Sequence, residues 1–108
     1  MSQQFGLGFN HLRKLLGQFK DDGKKHIAAL NEVTSANDRD AFMKIVHSFK
    51  GSAAMAGVSS IAQICADVES RSRQGLDRSG MEDFARRLPD VFQHACRELE
   101  AYLEQPRH

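Results

Sequence analysis

Cysteine is sparse in this chain. Cys65 and Cys96 are the only two, and they stand 31 positions apart with no C-x-x-C pair. They provide neither a disulfide framework nor a zinc knuckle. Two prolines, one tyrosine, no tryptophan and few clustered β-branched residues argue against an all-β domain. An excess of charge is missing too: 15 Lys+Arg stand against 14 Asp+Glu, a net of +1 that gives no field to draw in nucleic acid or an anionic membrane. No apolar run approaches the roughly 20 residues that span a bilayer, and the start lacks a signal peptide's basic-then-apolar layout. The expectation is a cytoplasmic protein with no membrane insertion. With 108 residues, 41% of them hydrophobic, the chain has room for one core.

What is present is helical periodicity. Residues 1–9, with Phe5, Leu7 and Phe9 separated by Gly6 and Gly8, read as a loose apolar lead. The sequence leaves open whether it folds over one end of the domain or frays. From Asn10 onward Leu12, Leu15, Leu16, Phe19, Ile27, Leu30 and Val33 wind onto one stripe. A second helix starts at Asn37 or Asp38, carries Phe42, Ile45, Val46, Phe49, Ala53 and Ala56, and ends at Gly57. Ser60 and Gln63 read as the capping box of a third helix with Ile61, Ile64, Cys65 and Val68 inside. Ser79 and Glu82 read as a second box, opening a helix with Phe84, Leu88, Val91, Phe92, Ala95, Leu99, Tyr102 and Leu103 on one face. Pro89 predicts a bend or a division there. Four amphipathic helices with short turns predict an all-α, antiparallel up-down-up-down four-helix bundle over residues 10–108.

One residue sits against the pattern. With Phe42 at zero and about 100° per residue, His47 falls at about 140°, almost opposite the apolar stripe. Its helical neighbours are Met43, Lys44, Lys50, Gly51 and Ala54. A histidine on a wet face is by itself unremarkable, and two lysines are an ordinary solvated surface. Gly51 is not ordinary, because a mid-helix glycine costs about 1 kcal/mol relative to alanine and no turn is needed there. A small residue one turn from an imidazole makes sense where another molecule must approach it.

The run His47-Ser48-Phe49-Lys50-Gly51-Ser52-Ala53, then Gly57, then Ile64-Cys65 and Val68-Glu69, resembles the histidine-containing phosphotransfer (HPt) domain of multistep phosphorelays. The resemblance extends from about Leu12 to Leu103. Phe49 stands where leucine is usual, Val46 where alanine is frequent, and isoleucine or valine replaces leucine in the third helix. The resemblance implies that His47 takes a phosphoryl group from a receiver's aspartyl phosphate and passes it to another receiver. Lys50 would then offset phosphoryl charge, and Met43, Lys44, Gly51, Ser52 and Ala54, with Gln63 from the third helix, would meet the partner. Magnesium is expected on the receiver, with no cofactor and no metal ligands in this chain, which is expected to act as a monomer.

Other classes carry less of the pattern. There is no G-x-x-x-x-G-K-[ST] loop, so neither ATP binding nor autophosphorylation is expected. A di-metal bundle would need inward Glu-x-x-His pairs, and no two histidines lie three or four apart. A helical adaptor that docks proteins without chemistry is the remaining alternative. The cluster Arg71, Arg73, Arg78, Arg86 and Arg87 reads as a solvated end of the bundle.

Overall fold

A computed structural model describes the backbone of residues 2–104 and the side chains of residues 11–103. Four helices follow one another: α1 Ser2–Ser35, α2 Arg39–Met55, α3 Ser59–Arg73 and α4 Arg78–Glu104. The lengths are unequal. At about 1.5 Å per residue, α1 alone accounts for the 52 Å long axis. The shorter α2 and α3 pack on one another, α1 packs on both α2 and α4, and α3 meets α4 more lightly. The α1 helix begins eight residues before the start that the apolar period predicts. How the apolar side chains of residues 1–9 are placed lies outside the described residues.

Both tight turns around α2 are closed by a residue in the left-handed region. Asn37, at φ 55°, ends α1, and Asp38 N–H bonds back to Val33 O at 2.9 Å. Asp38 then opens α2 by accepting from Ala41 N–H at 3.1 Å. The two residues that compete for one cap in the sequence therefore share the work of two. Gly57, at φ 75°, ends α2, with Val58 N–H on Ala53 O at 2.8 Å. This paired closure suits glycine, which adopts that φ without a Cβ penalty.

Two predicted capping boxes do not form. The α3 helix starts one residue earlier than Ser60, after Val58, and no side chain caps it. Val58 is buried in the core beside Ala53, so the start of the helix follows packing of an apolar side chain rather than a hydroxyl cap. At α4 the cap is Asp77, which accepts from Gly80 N–H at 2.9 Å, while Glu82 pairs with Arg78 at 3.0 Å. An aspartate two residues upstream of Ser79 thus extends the helix by one residue before it. Pro89 does not divide α4, which runs unbroken from Arg78 to Glu104.

The core is built from the predicted stripes with two exceptions. Leu12 is 42% exposed and Tyr102 58% exposed, both on the long α1–α4 pair near its end. Phe19, Phe49 and Phe92 bring α1, α2 and α4 together, with ring centroids 5.4 to 6.1 Å apart. Phe49 is completely buried in this cluster. Two residues before it, His47 lies about 200° round the helix. Burying the Phe49 ring therefore turns the His47 side chain outward.

Candidate functional site

The consequence is visible at the surface of α2, where the His47 side chain is 73% exposed. Its ring is not loose. Nδ1 lies 3.0 Å from Glu69 Oε2, reached across the α2–α3 seam. The other oxygen of the same carboxylate, Oε1, faces Lys50 Nζ at 2.6 Å. One acid on α3 thus holds both the imidazole and the ammonium one turn away from it on α2. The Lys50 ammonium, with a smaller contribution from His47, holds the Glu69 carboxyl below its usual range, against the opposing effect of its partial burial. Glu69 is consequently ionised at neutral pH.

A carboxylate accepts hydrogen bonds and cannot donate them, so the proton of a neutral His47 ring belongs on Nδ1. The lone pair then sits on Nε2, on the far side of the ring from Glu69. This leaves one nitrogen anchored and the other nucleophilic, the arrangement by which a hydrogen bond selects a histidine tautomer.

The surroundings separate the residues singled out in the sequence. A Cβ placed on Gly51 would meet no neighbouring atom within 4 Å, so no internal packing requires a glycine there. Lys44 and Ala54 are exposed on the same side of α2. Met43 is half-buried against the core and offers only part of its side chain. Ser52 turns towards α1, donating its hydroxyl to Asp22 Oδ2 at 2.7 Å. Gln63 is exposed on α3, but six residues before Glu69 it lies about 120° round the helix from it. Among the described residues no hydrogen bond joins Gln63 to His47 or Lys50.

Other participants were not singled out from the sequence. Glu69 is part of the matched pattern, yet its contacts with His47 and Lys50 become visible only when α3 is laid against α2. On the opposite seam His26 of α1 stacks on Phe49 at 4.9 Å and reaches Ser48 Oγ through Nε2 at 3.1 Å. Its Nδ1 lies 2.8 Å from Asp22 O, an arrangement in which Nδ1–H donates to that carbonyl and Ser48 O–H donates to Nε2. Asp22–Ser52 and His26–Ser48 are one turn apart on each helix and run in opposite senses, which fixes the register of α1 against α2. The only available signal was helical spacing on α1, and this does not identify the facing residue.

The family model for the Hpt domain matches residues 14–108. The chain belongs to the Hpt domain family. Hpt domains are phosphotransfer modules that exchange phosphoryl groups through histidine with receiver domains in phosphorelays. No curated protein and no solved structure matches the chain. The Hpt fold accounts for the four helices, and no helix among the described residues is long and apolar enough to cross a membrane. Among the described residues, no group of three or more His, Cys, Asp or Glu side chains is placed to hold a metal ion. The two thiols lie in the core, and burial pushes Cys65 up to about 12. They serve as small apolar side chains there.

Proposed function

We infer that His47 is the residue that carries the phosphoryl group, accepting it from the aspartyl phosphate of one receiver and yielding it to another. The observation that carries this reading is the exposed imidazole, anchored at Nδ1 by Glu69 and adjoining the uncovered backbone of Gly51. Nε2 attacks phosphorus as the bond from phosphorus to the aspartyl oxygen breaks. The aspartate departs as a carboxylate. Nδ1 keeps its proton, and Glu69 faces the positive charge that develops on the ring. Phosphoryl transfer depends chiefly on position and charge neutralisation. Lys50, held beside the ring by the second oxygen of Glu69, is placed to turn towards the incoming phosphoryl oxygens. Its partial exposure tempers the attraction.

Gly51 and Ala54 give the receiver a close approach along α2, with Lys44 and part of Met43 at the edge of the contact. Ser52 supports the site from the α1 side through Asp22 rather than by touching the partner. His47, Glu69 and Lys50 all come from one chain, so one copy of this domain suffices to meet a receiver. Magnesium remains with the receiver in this reading.

The test is transfer itself. Incubation with a phosphorylated receiver is expected to place acid-labile, base-stable label on the wild type and none on His47→Gln. Equal labelling of His47→Gln would remove His47 from the mechanism. Lys50→Ala is expected to slow transfer while the domain stays folded; an unchanged rate would deny Lys50 its role.

A further inference from the structure

The seam between α1 and α4 holds an open groove of about 660 Å3, to which neither α2 nor α3 contributes a lining residue. Lys20 meets Glu100 and, a turn later on α1, the backbone of Gly23 meets the Phe92 ring, so the two helices run in opposite senses. Lys20 and Lys24 on α1 therefore share one end of the groove with Arg97 and Glu100 on α4. The lining of the other end is uncharged, with Ile27, Ala28 and Asn31 on one wall and Pro89 and Phe92 on the other. The Lys20–Glu100 ion pair crosses the seam at 2.8 Å and separates this groove from a smaller one of about 230 Å3 beyond it.

The charged end is not balanced. Glu100 is the one acid lining the groove, and Lys20 takes it. Lys24 and Arg97 are exposed and have no ion pair or hydrogen bond among the described residues. The neighbouring acids are turned elsewhere. Asp21 lines the groove between α1 and α2, Glu98 pairs with His94 at 2.8 Å, and Asp90 does not line the seam. Two cations without an internal partner thus stand at one end of a trough about 16 Å long, whose floor is apolar.

We propose that this groove binds a small amphiphilic carboxylate, its head held by Lys24 and Arg97 and its aliphatic body lying over Ile27, Ala28 and Phe92. The volume falls within the range of about 300–1,000 Å3 usual for small-ligand sites, and the mixture of apolar floor and few polar groups is theirs too. Charge complementarity selects the anion, since both cations can donate charge-assisted hydrogen bonds to it. A second copy laid symmetrically on the seam would bring its own Lys24 and Arg97 against these. A partner helix running the length of the seam would have to bury the Lys20–Glu100 pair, at a desolvation cost that a short ligand avoids. The site is independent of the role assigned to His47, which lies on α2.

Octanoate is the probe, titrated into the full chain and followed by calorimetry and backbone amide shifts, with octanol and octylamine as uncharged and cationic controls. Saturable binding of octanoate is expected, with shifts clustered along residues 20–31 and 89–100. Octanol should bind at least about tenfold more weakly, and octylamine not at all. Lys24→Gln with Arg97→Gln is expected to weaken octanoate about tenfold while octanol stays within about twofold. Ala28 is exposed, so Ala28→Trp should fill the trough without disturbing the core and abolish binding of both. Added salt should weaken octanoate and leave octanol unchanged. Absence of saturable binding, equal affinity for octanol and octanoate, an unchanged affinity in the double variant, or shifts centred on the α1–α2 groove would overturn the proposal. Vesicles of phosphatidylcholine and phosphatidylglycerol separate a free ligand from a lipid surface, and binding to them in place of octanoate would overturn it as well.

Discussion

Gly23 and Gly51 are both mid-helix glycines, and local propensity treats them alike, yet one is buried under a ring and the other is exposed. At Gly23 on α1 a Cβ would lie 2.1 Å from the Phe92 ring, so the glycine lets α4 press its aromatic against the α1 backbone. At Gly51 a Cβ would meet nothing within 4 Å. The first glycine is explained by packing within the chain. The second is not, and under the proposed reading a docking partner accounts for it. Open surroundings alone do not set Gly51 apart, since Gly17 on α1 has them too; what distinguishes Gly51 is its place one turn from His47, which the proposed transfer reading explains by a partner's approach.

The comparison is sharpest when both positions are filled. Gly23→Ala is expected to destabilise the domain by about 1–3 kcal/mol through overpacking against Phe92, a loss seen in chemical denaturation. A variant as stable as wild type would show that Phe92 moves aside freely. Gly51→Leu is expected to leave folding intact and to slow transfer from a receiver by about tenfold or more, the equivalent of roughly 1.4 kcal/mol in docking. Unimpaired transfer would mean that clearance is not the purpose of Gly51. Gly51→Ala separates the two properties at one site. It should raise stability by about 1 kcal/mol while transfer falls or stays level, so a loss of stability would contradict the open surroundings.

A smaller effect concerns Glu69, whose ion pair belongs to the site rather than to the core. Its carboxyl is held below the ordinary 4.5 first by Lys50 and secondarily by His47. The linked stability is present above that ordinary value and is lost as pH falls through the depressed one. The stability difference between wild type and Glu69→Gln should therefore shrink on acidification through this range. A difference independent of pH would mean that the carboxylate charge contributes nothing. The smallest expected signal is at Cys65, where a buried thiol pushed up to about 12 should resist alkylation in the native state at neutral pH. Rapid modification without unfolding would show that the α2–α3 seam opens readily.

The helical stripes were legible because apolar spacing reports directly on which face leaves water. The outward direction of His47 followed from the same arithmetic, and the buried Phe49 ring enforces it. The caps of α3 and α4 were read wrongly for a physical reason. Serine, aspartate and a buried valine compete for a helix start, and only the packing of Val58 and the reach of Asp77 decide among them. Leu12 and Tyr102 were misplaced because a stripe does not reveal where the neighbouring helices end.

The sequence by itself determined the helices, the exposed imidazole, the lysine one turn on and the bare glycine beside them, since each depends on positions within a few residues. Only the tertiary structure decided that Glu69 holds both His47 and Lys50 and that His26 and Asp22 set the register of α1 on α2. Those pairings join residues about twenty to thirty positions apart on different helices. Spacing along one helix fixes a direction, but the partner met in that direction depends on how the helices are laid together.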